Sequence, residues 1–183
     1  LNRIAILQTD LKESILQVAE ELCPKYLFAY RIITNTTNER TLIASVLPFC
    51  GVSHSLYVMY VGQTPVKQAC FLANLNSICT DYAARQKVGG TNLTLGYFEQ
   101  FPILPPDTYI TTCINYIVPR VFALTYTATD IVEWARALWS DAGVDLRKLM
   151  LAQHKDLPTG TDIETLAASD FDPTAIPPII FED

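Results

Sequence analysis

Ala83-Ala84-Arg85-Gln86-Lys87-Val88-Gly89-Gly90-Thr91-Asn92-Leu93 is the stretch on which the reading of this chain turns. An apolar helical pattern runs into two basic residues, a Gly-Gly stop follows, and a polar pair opens a strand-like run. A helix that breaks on glycine just after Arg and Lys places cations and free backbone N–H groups at one tight corner. Such a corner suits a phosphate backbone, and Gln86, Thr91 and Asn92 carry groups able to hydrogen-bond base edges. It equally suits an ordinary helix C-terminus whose cations complement the dipole. These residues alone leave both readings open.

Upstream of the corner, Thr64-Pro65 reads as an N-cap with proline at the first helical position. One helix is expected from there to about Gln86, its broad buried face including Ala69, Leu72, Leu75 and Ile78. Asn74 and Asn76 fall inside it, where asparagine is mildly unfavourable. They are expected to bond a neighbouring loop or face solvent. Lys25–Thr34, Thr41–Leu47 and His54–Val61 read as strands rich in aromatic and β-branched residues, and Asn35–Asn38 as a turn between the first two. Thr9–Leu22 reads as a capped amphipathic helix stopped by Pro24.

Downstream, Asn92–Phe98 reads as a strand and Phe101–Pro106 as a proline-stiffened exit. Asp107–Trp139 is expected to be largely helical, with Pro119 forcing a break or kink and a fresh start at Thr127 or Asp130. A short helix is expected over Val144–His154. Leu157–Asp183, polar, acidic and proline-rich, reads as an extended arm or a disordered tail. The expected class is α+β, a small mixed sheet with packed helices followed by a helical segment. The expected division is a core over residues 1–106, a helical segment over 107–155 and an acidic tail over 156–183.

The chain has 183 residues, half of them apolar, enough for a real core. It begins on Leu1, which reads as a piece of a longer protein, and no secretory leader is legible. The apolar zone Thr41–Val61 is interrupted by Pro48, Gly51 and His54, which favours two strands over a membrane span. Five scattered cysteines with no CxxC pair read as free thiols in a reducing cytoplasm. The net charge of −6 is unevenly placed. Residues 126–183 hold four basic and eleven acidic residues, whereas residues 24–100 hold six basic and three acidic. The acid lies in the tail, and the middle of the chain can face a polyanion.

Catalytic motifs are absent. There is no phosphate-binding loop, no HExxH, and no dinucleotide fingerprint, since Gly89-Gly90 follows a helix where the fingerprint requires the reverse. His54 could form a dyad with Cys50, Cys70 or Cys79 only through the fold. Arg40 suits a guanine or phosphate, and suits equally a partner such as Glu39 or Asp81.

Three blocks together resemble the C-terminal target-recognition region of adenine-specific DNA methyltransferases of the TaqI-like and type IIG restriction–modification group, and of related phage-defence methylases. They are Asn38-Glu39-Arg40-Thr41-Leu42-Ile43-Ala44-Ser45-Val46-Leu47-Pro48, then Leu72–Ser77 continuing through Tyr82–Leu93, then Phe98–Pro106. A fourth, Pro119–Ala128, is similar to the next region of such proteins, so the resemblance spans about residues 28–139. It implies a bipartite parent: a catalytic domain on the same polypeptide that uses S-adenosylmethionine, and a domain that reads double-stranded DNA. The family's Asn/Asp-Pro-Pro-aromatic run is missing, because Leu104-Pro105-Pro106-Asp107 and Ile176-Pro177-Pro178-Ile179 lack its flanks. The resemblance therefore implies the reading domain alone, with no catalytic or metal-binding residue and no cofactor of its own. Whether the parent also cuts DNA is left open.

The expected DNA contacts are Arg31, Arg40, Arg85, Gln86, Lys87, Thr91 and Asn92, with the Gly62–Thr64 loop as a further candidate if the shared blocks form the frame. The rival reading is a protein-interaction module whose acidic tail docks on a basic partner. An open basic face of Arg40, Arg85 and Lys87 favours DNA. The same residues buried in ion pairs, beside a large exposed apolar patch, favour protein.

Overall fold

A computed structural model describes residues 23–181 of the chain. The helix expected over Thr9–Leu22 lies outside them. Three strands form: β1 (Tyr26–Arg31), β2 (Ala44–Pro48) and β3 (Leu56–Met59). Their order is β2-β1-β3, with Phe28 opposite both Val46 and Met59. The class is α+β as expected, but every hydrogen-bonded pair is antiparallel and the sheet is not mixed. β2 and β3 do run parallel, yet β1 lies between them, so the connection over residues 49–55 must cross β1.

Seven helices follow: α1 (Pro65–Leu75), α2 (Ile78–Lys87), α3 (Leu95–Phe98), α4 (Thr111–Thr125), α5 (Val132–Asp141), α6 (Val144–Ala152) and α7 (Ile163–Ala168). The single helix expected from Pro65 to Gln86 is two. It breaks at Asn76-Ser77, where Ser77 Oγ accepts from the Thr80 N–H at 3.2 Å and restarts the helix as α2. Asn76 turns across to β2. Its amide donates to Ala44 O (2.9 Å) and Leu72 O (3.1 Å), and its Oδ1 accepts from Ala44 N (3.1 Å). One side chain thus closes an outer strand edge and ends a helix.

Asn92–Phe98 is not a strand. Asn92 makes an isolated bridge to Ile33, clasped by Leu93 N→Ile32 O (2.8 Å) and Thr34 N→Thr91 O (2.9 Å). The chain then turns into α3, which carries Phe98 onto Tyr30 in a stacked pair with ring centroids 4.4 Å apart. Burying Leu93 and Phe98 against the same core cannot be done by an extended run from 92 to 98. Pro119 does not break α4, which runs through it. The break comes after Thr125.

The core is built on one sheet face. Tyr26 and Phe28 meet the buried Trp134 of α5 edge-on at 5.1 and 5.4 Å, and the Trp134 indole donates to Thr125 Oγ1 at 3.0 Å. Aliphatic residues of α1, α4 and α6 complete it.

The last segment is neither an arm nor a loose tail. Phe171, Ile176 and Ile179 are buried, and Ile179 N donates to Tyr126 O at 2.9 Å. His154, 5% exposed, is 2.6 Å through Nε2 from Pro177 O. The acidic, proline-rich composition concealed widely spaced apolar anchors on a backbone that Pro177-Pro178 keeps extended.

Candidate nucleic-acid interface

The corner ending α2 is organised by Asp81, a residue 6% exposed. Its Oδ1 accepts from the backbone N–H groups of Thr41 and Leu42, both at 2.8 Å. Its Oδ2 accepts from Arg85 Nη2 at 3.2 Å, one turn along the helix. Arg40 Nε lies 3.6 Å from Oδ1, within ion-pair range but too far for a hydrogen bond. Burial pushes the Asp81 carboxyl up. Hydrogen bonds from Leu42, Arg85 and Thr41, with the charge of Arg40, outweigh it and hold the group below its ordinary value of 3.8.

Both guanidinium groups are further committed to backbone carbonyls. Arg85 donates to Glu39 O (2.7 Å) and Thr36 O (3.2 Å), and Arg40 donates to Asn76 O (2.5 Å). The Arg40 and Arg85 side chains remain 34% and 33% exposed. The open face of Arg40, Arg85 and Lys87 expected of a docking surface is therefore not formed, because two of the three are paired with one buried carboxylate, whose single charge still leaves the two guanidinium groups net positive. Of the two partners open to Arg40, the fold selects Asp81. Arg31 is half-buried at the end of β1 and its Nη2 donates to Arg40 O at 3.4 Å.

What stands open is the ledge beyond. Gln86, Lys87, Gly89, Gly90, Thr91 and Asn92 are all exposed, and Lys87 Nζ donates to Gln100 Oε1 at 3.2 Å. The helix stops at Val88, in extended conformation, and neither glycine takes the left-handed conformation expected of a glycine stop. A Cβ on Gly90 would meet nothing within 4 Å, and one on Gly89 would meet only Tyr97 Oη at 3.9 Å. Among the described residues, neither backbone angles nor crowding requires glycine at either position.

Side-chain-to-backbone bonds tie the three blocks together. The first block is held by Asn76, Asp81 and Arg85 of the second, and Asn74 Oδ1 of the second accepts from Leu104 N of the third at 2.9 Å. Asn74 bonds the loop at Leu104, one of the two fates expected of it, whereas Asn76 ends α1 and bonds a strand. Residues 62–64 lie about 20 Å along β1 from the ledge, judged from strand rise, at the sheet's other end.

A cleft of about 870 Å³ lies at that far end, lined by Lys25, Tyr26, Tyr60, Gln63, Glu133 and Arg136 among others. No hydrogen bond joins His54 to a cysteine among the described residues. His54, Cys50 and Cys79 are exposed and Cys70 is buried. Nor do the described residues contain a group of three or more His, Cys, Asp or Glu able to hold a metal. No described helix is long and apolar enough to cross a membrane. No protein-family model, curated protein or solved structure matches the chain.

Proposed function

We propose that this chain is the DNA-reading part of an adenine-specific, restriction–modification-type methyltransferase, without catalytic power of its own. The observation that carries the reading is the convergence of the blocks. Asn38–Pro48, Leu72–Leu93 and Phe98–Pro106, separate in sequence, are bonded into one frame through Asn74, Asn76, Asp81 and Arg85. That frame holds out the ledge from Gln86 to Asn92.

On this reading Arg40 and Arg85 build the frame, and Lys87, Gln86, Thr91 and Asn92 make the contacts. The bare backbone at Gly89-Gly90, which nothing among the described residues requires, leaves room for a phosphate to approach. Methyl transfer from S-adenosylmethionine belongs to a catalytic domain elsewhere on the polypeptide. Neither Pro-Pro pair here has the flanks of the run that holds the target amine beside the methyl donor. Pro105-Pro106 leads into a 3-10 turn, and the Pro177 carbonyl is taken by His154.

The test is duplex binding by the full chain across a salt series. Affinity falling more than about tenfold between about 50 and 200 mM salt is expected of several phosphate contacts. A flat response overturns the proposal.

One observation favours the second reading, a protein-interaction surface: the two arginines are paired while Ile78 and Tyr82 stand exposed beside them. Its acidic-tail version is less well supported. Asp162 and Asp172 cap local turns, and Glu164 pairs with Lys148. The salt series separates the two readings.

A further inference from the structure

α2 has two unlike faces. One is fastened to the frame through Asp81, with Thr80 and Ala84 buried beside it. The other presents Ile78, Tyr82 and Gln86 at successive i, i+4 positions, Ile78 79% and Tyr82 65% exposed. A helix face that serves only solubility carries charge. Along the open face from Ile78 to Gln86 there is none, and the first charged residue at its end is Lys87.

This combination of apolar groups and one primary amide matches the major-groove edge of an A·T pair. That edge offers the thymine C5 methyl for apolar contact, and the adenine N6 donor and N7 acceptor for a bidentate amide. Guanine is best read by Arg or Lys. Of the two basic residues on α2, Arg85 already sits on Asp81, and Lys87, at the helix end, donates to Gln100. A helix of ten residues, roughly 15 Å long, fits the groove. Charge also orients the approach. Residues 24–100 hold six basic and three acidic residues, against four and eleven over residues 126–183.

We propose that the open face of α2 is a specificity-determining surface for A·T pairs, with Gln86 reading adenine and Tyr82, supported by Ile78, packing on the thymine methyl. This assignment rests on the DNA-reading function proposed above. It places discrimination on α2 and leaves to Lys87 and the glycine ledge the holding of the backbone.

The test selects duplexes from a randomised DNA pool with the 183-residue chain. It then measures binding to the enriched duplex, and to the same duplex with thymine replaced by uracil, which lacks the methyl. An enriched site containing A·T pairs is expected. Gln86→Ala should lose about fivefold or more in affinity and the preference at one pair. Gln86→Glu should move that preference towards cytosine, a change of specificity that a merely structural residue does not produce. Uracil should weaken the wild-type chain severalfold and leave Tyr82→Ala unaffected.

Absence of any DNA binding overturns both this assignment and the function it rests on. DNA binding without sequence preference, or with a preference that survives Gln86→Ala and Tyr82→Ala, overturns the assignment alone. A face covered by another polypeptide gives that second pattern.

Discussion

Asp81 and Arg85 stand one helical turn apart on α2, and the Arg85 guanidinium spans the gap between that carboxylate (3.2 Å) and the Glu39 carbonyl (2.7 Å). A residue that reads from sequence as a free cation at a helix end is thereby the clamp between α2 and the turn before β2. Asp81 completes the clamp by taking the Thr41 and Leu42 amides, so the chain is gripped on both sides of Arg40.

Asp81→Ala should cost about 3 kcal/mol, because it strips two buried amides of their acceptor and leaves two guanidinium groups without a counter-charge. Urea unfolding measures it. A loss below about 1 kcal/mol would mean the clamp does not hold the fold. The wild type should also weaken as pH falls below about 4. The folded carboxyl is held below its ordinary value of 3.8, so its contribution is complete above that pH and is lost as pH falls through the folded value.

Asn76→Ala should cost about 2 kcal/mol, through the loss of three bonds that close the edge of β2 and end α1. Hydrogen exchange should report faster opening at Ala44, whose N–H bonds the Asn76 side chain. Unchanged protection there would dissociate the side chain from the strand edge.

Lys87 and Arg40 should behave differently although both are cations beside the same corner. On the proposed function, Lys87→Ala lowers the salt slope of DNA binding by about one with stability unchanged. Arg40→Ala lowers the melting temperature through loss of its hydrogen bond to Asn76 O and its ion pair with Asp81. The reverse pattern would exchange their roles.

Ile176→Ala should cost about 3 kcal/mol, the size expected of a cavity opened in a core. A change within about 0.5 kcal/mol, as at a solvated site, would show that the last segment is not packed.

His154 gives the C-terminal packing a second dependence on pH. Burial pulls its pKa below the ordinary 6.5, against the opposing hydrogen bond to Pro177 O and the charge of Asp156. The folded state therefore favours neutral imidazole, and stability is complete above about pH 6.5 and falls as pH drops towards the folded value. Melting temperatures at about pH 7.5 and 5.5 should differ in the wild type and converge in His154→Gln. Equal wild-type values would count against a neutral buried ring.

Strand placement was largely legible, because aromatic and β-branched runs bounded by Pro24, Asn35 and Pro48 admit few alternatives. The strands came out shorter than their apolar runs. Thr41 and Leu42 give their amides to Asp81, and Ile32 and Thr34 give theirs to Ser55 and Thr91. The site was legible as a set of blocks but not as a geometry. Asp81 and Arg85, at i,i+4 on an expected helix, carried a usable ion-pair signal, whereas nothing in residue type distinguishes an Arg40 that faces water from one that faces Asp81. The break at Asn76-Ser77 left a usable signal, a serine cap after two mid-helix asparagines, against an apolar pattern that continues across it.

From its sequence alone this chain is an α+β protein with an apolar core and an acidic C-terminal third, since apolar spacing, proline and charge act locally and survive in a one-dimensional reading. Only the tertiary structure decided that the acidic third packs into the core and that two of the corner's three cations share the carboxylate of Asp81. Arg85 with Asp81 is an i,i+4 pair, but Arg40 with Asp81 and Tyr126 with Ile179 join groups 40 or more residues apart. Such a pairing has no local signature, because its energy exists only once the chain has closed on itself.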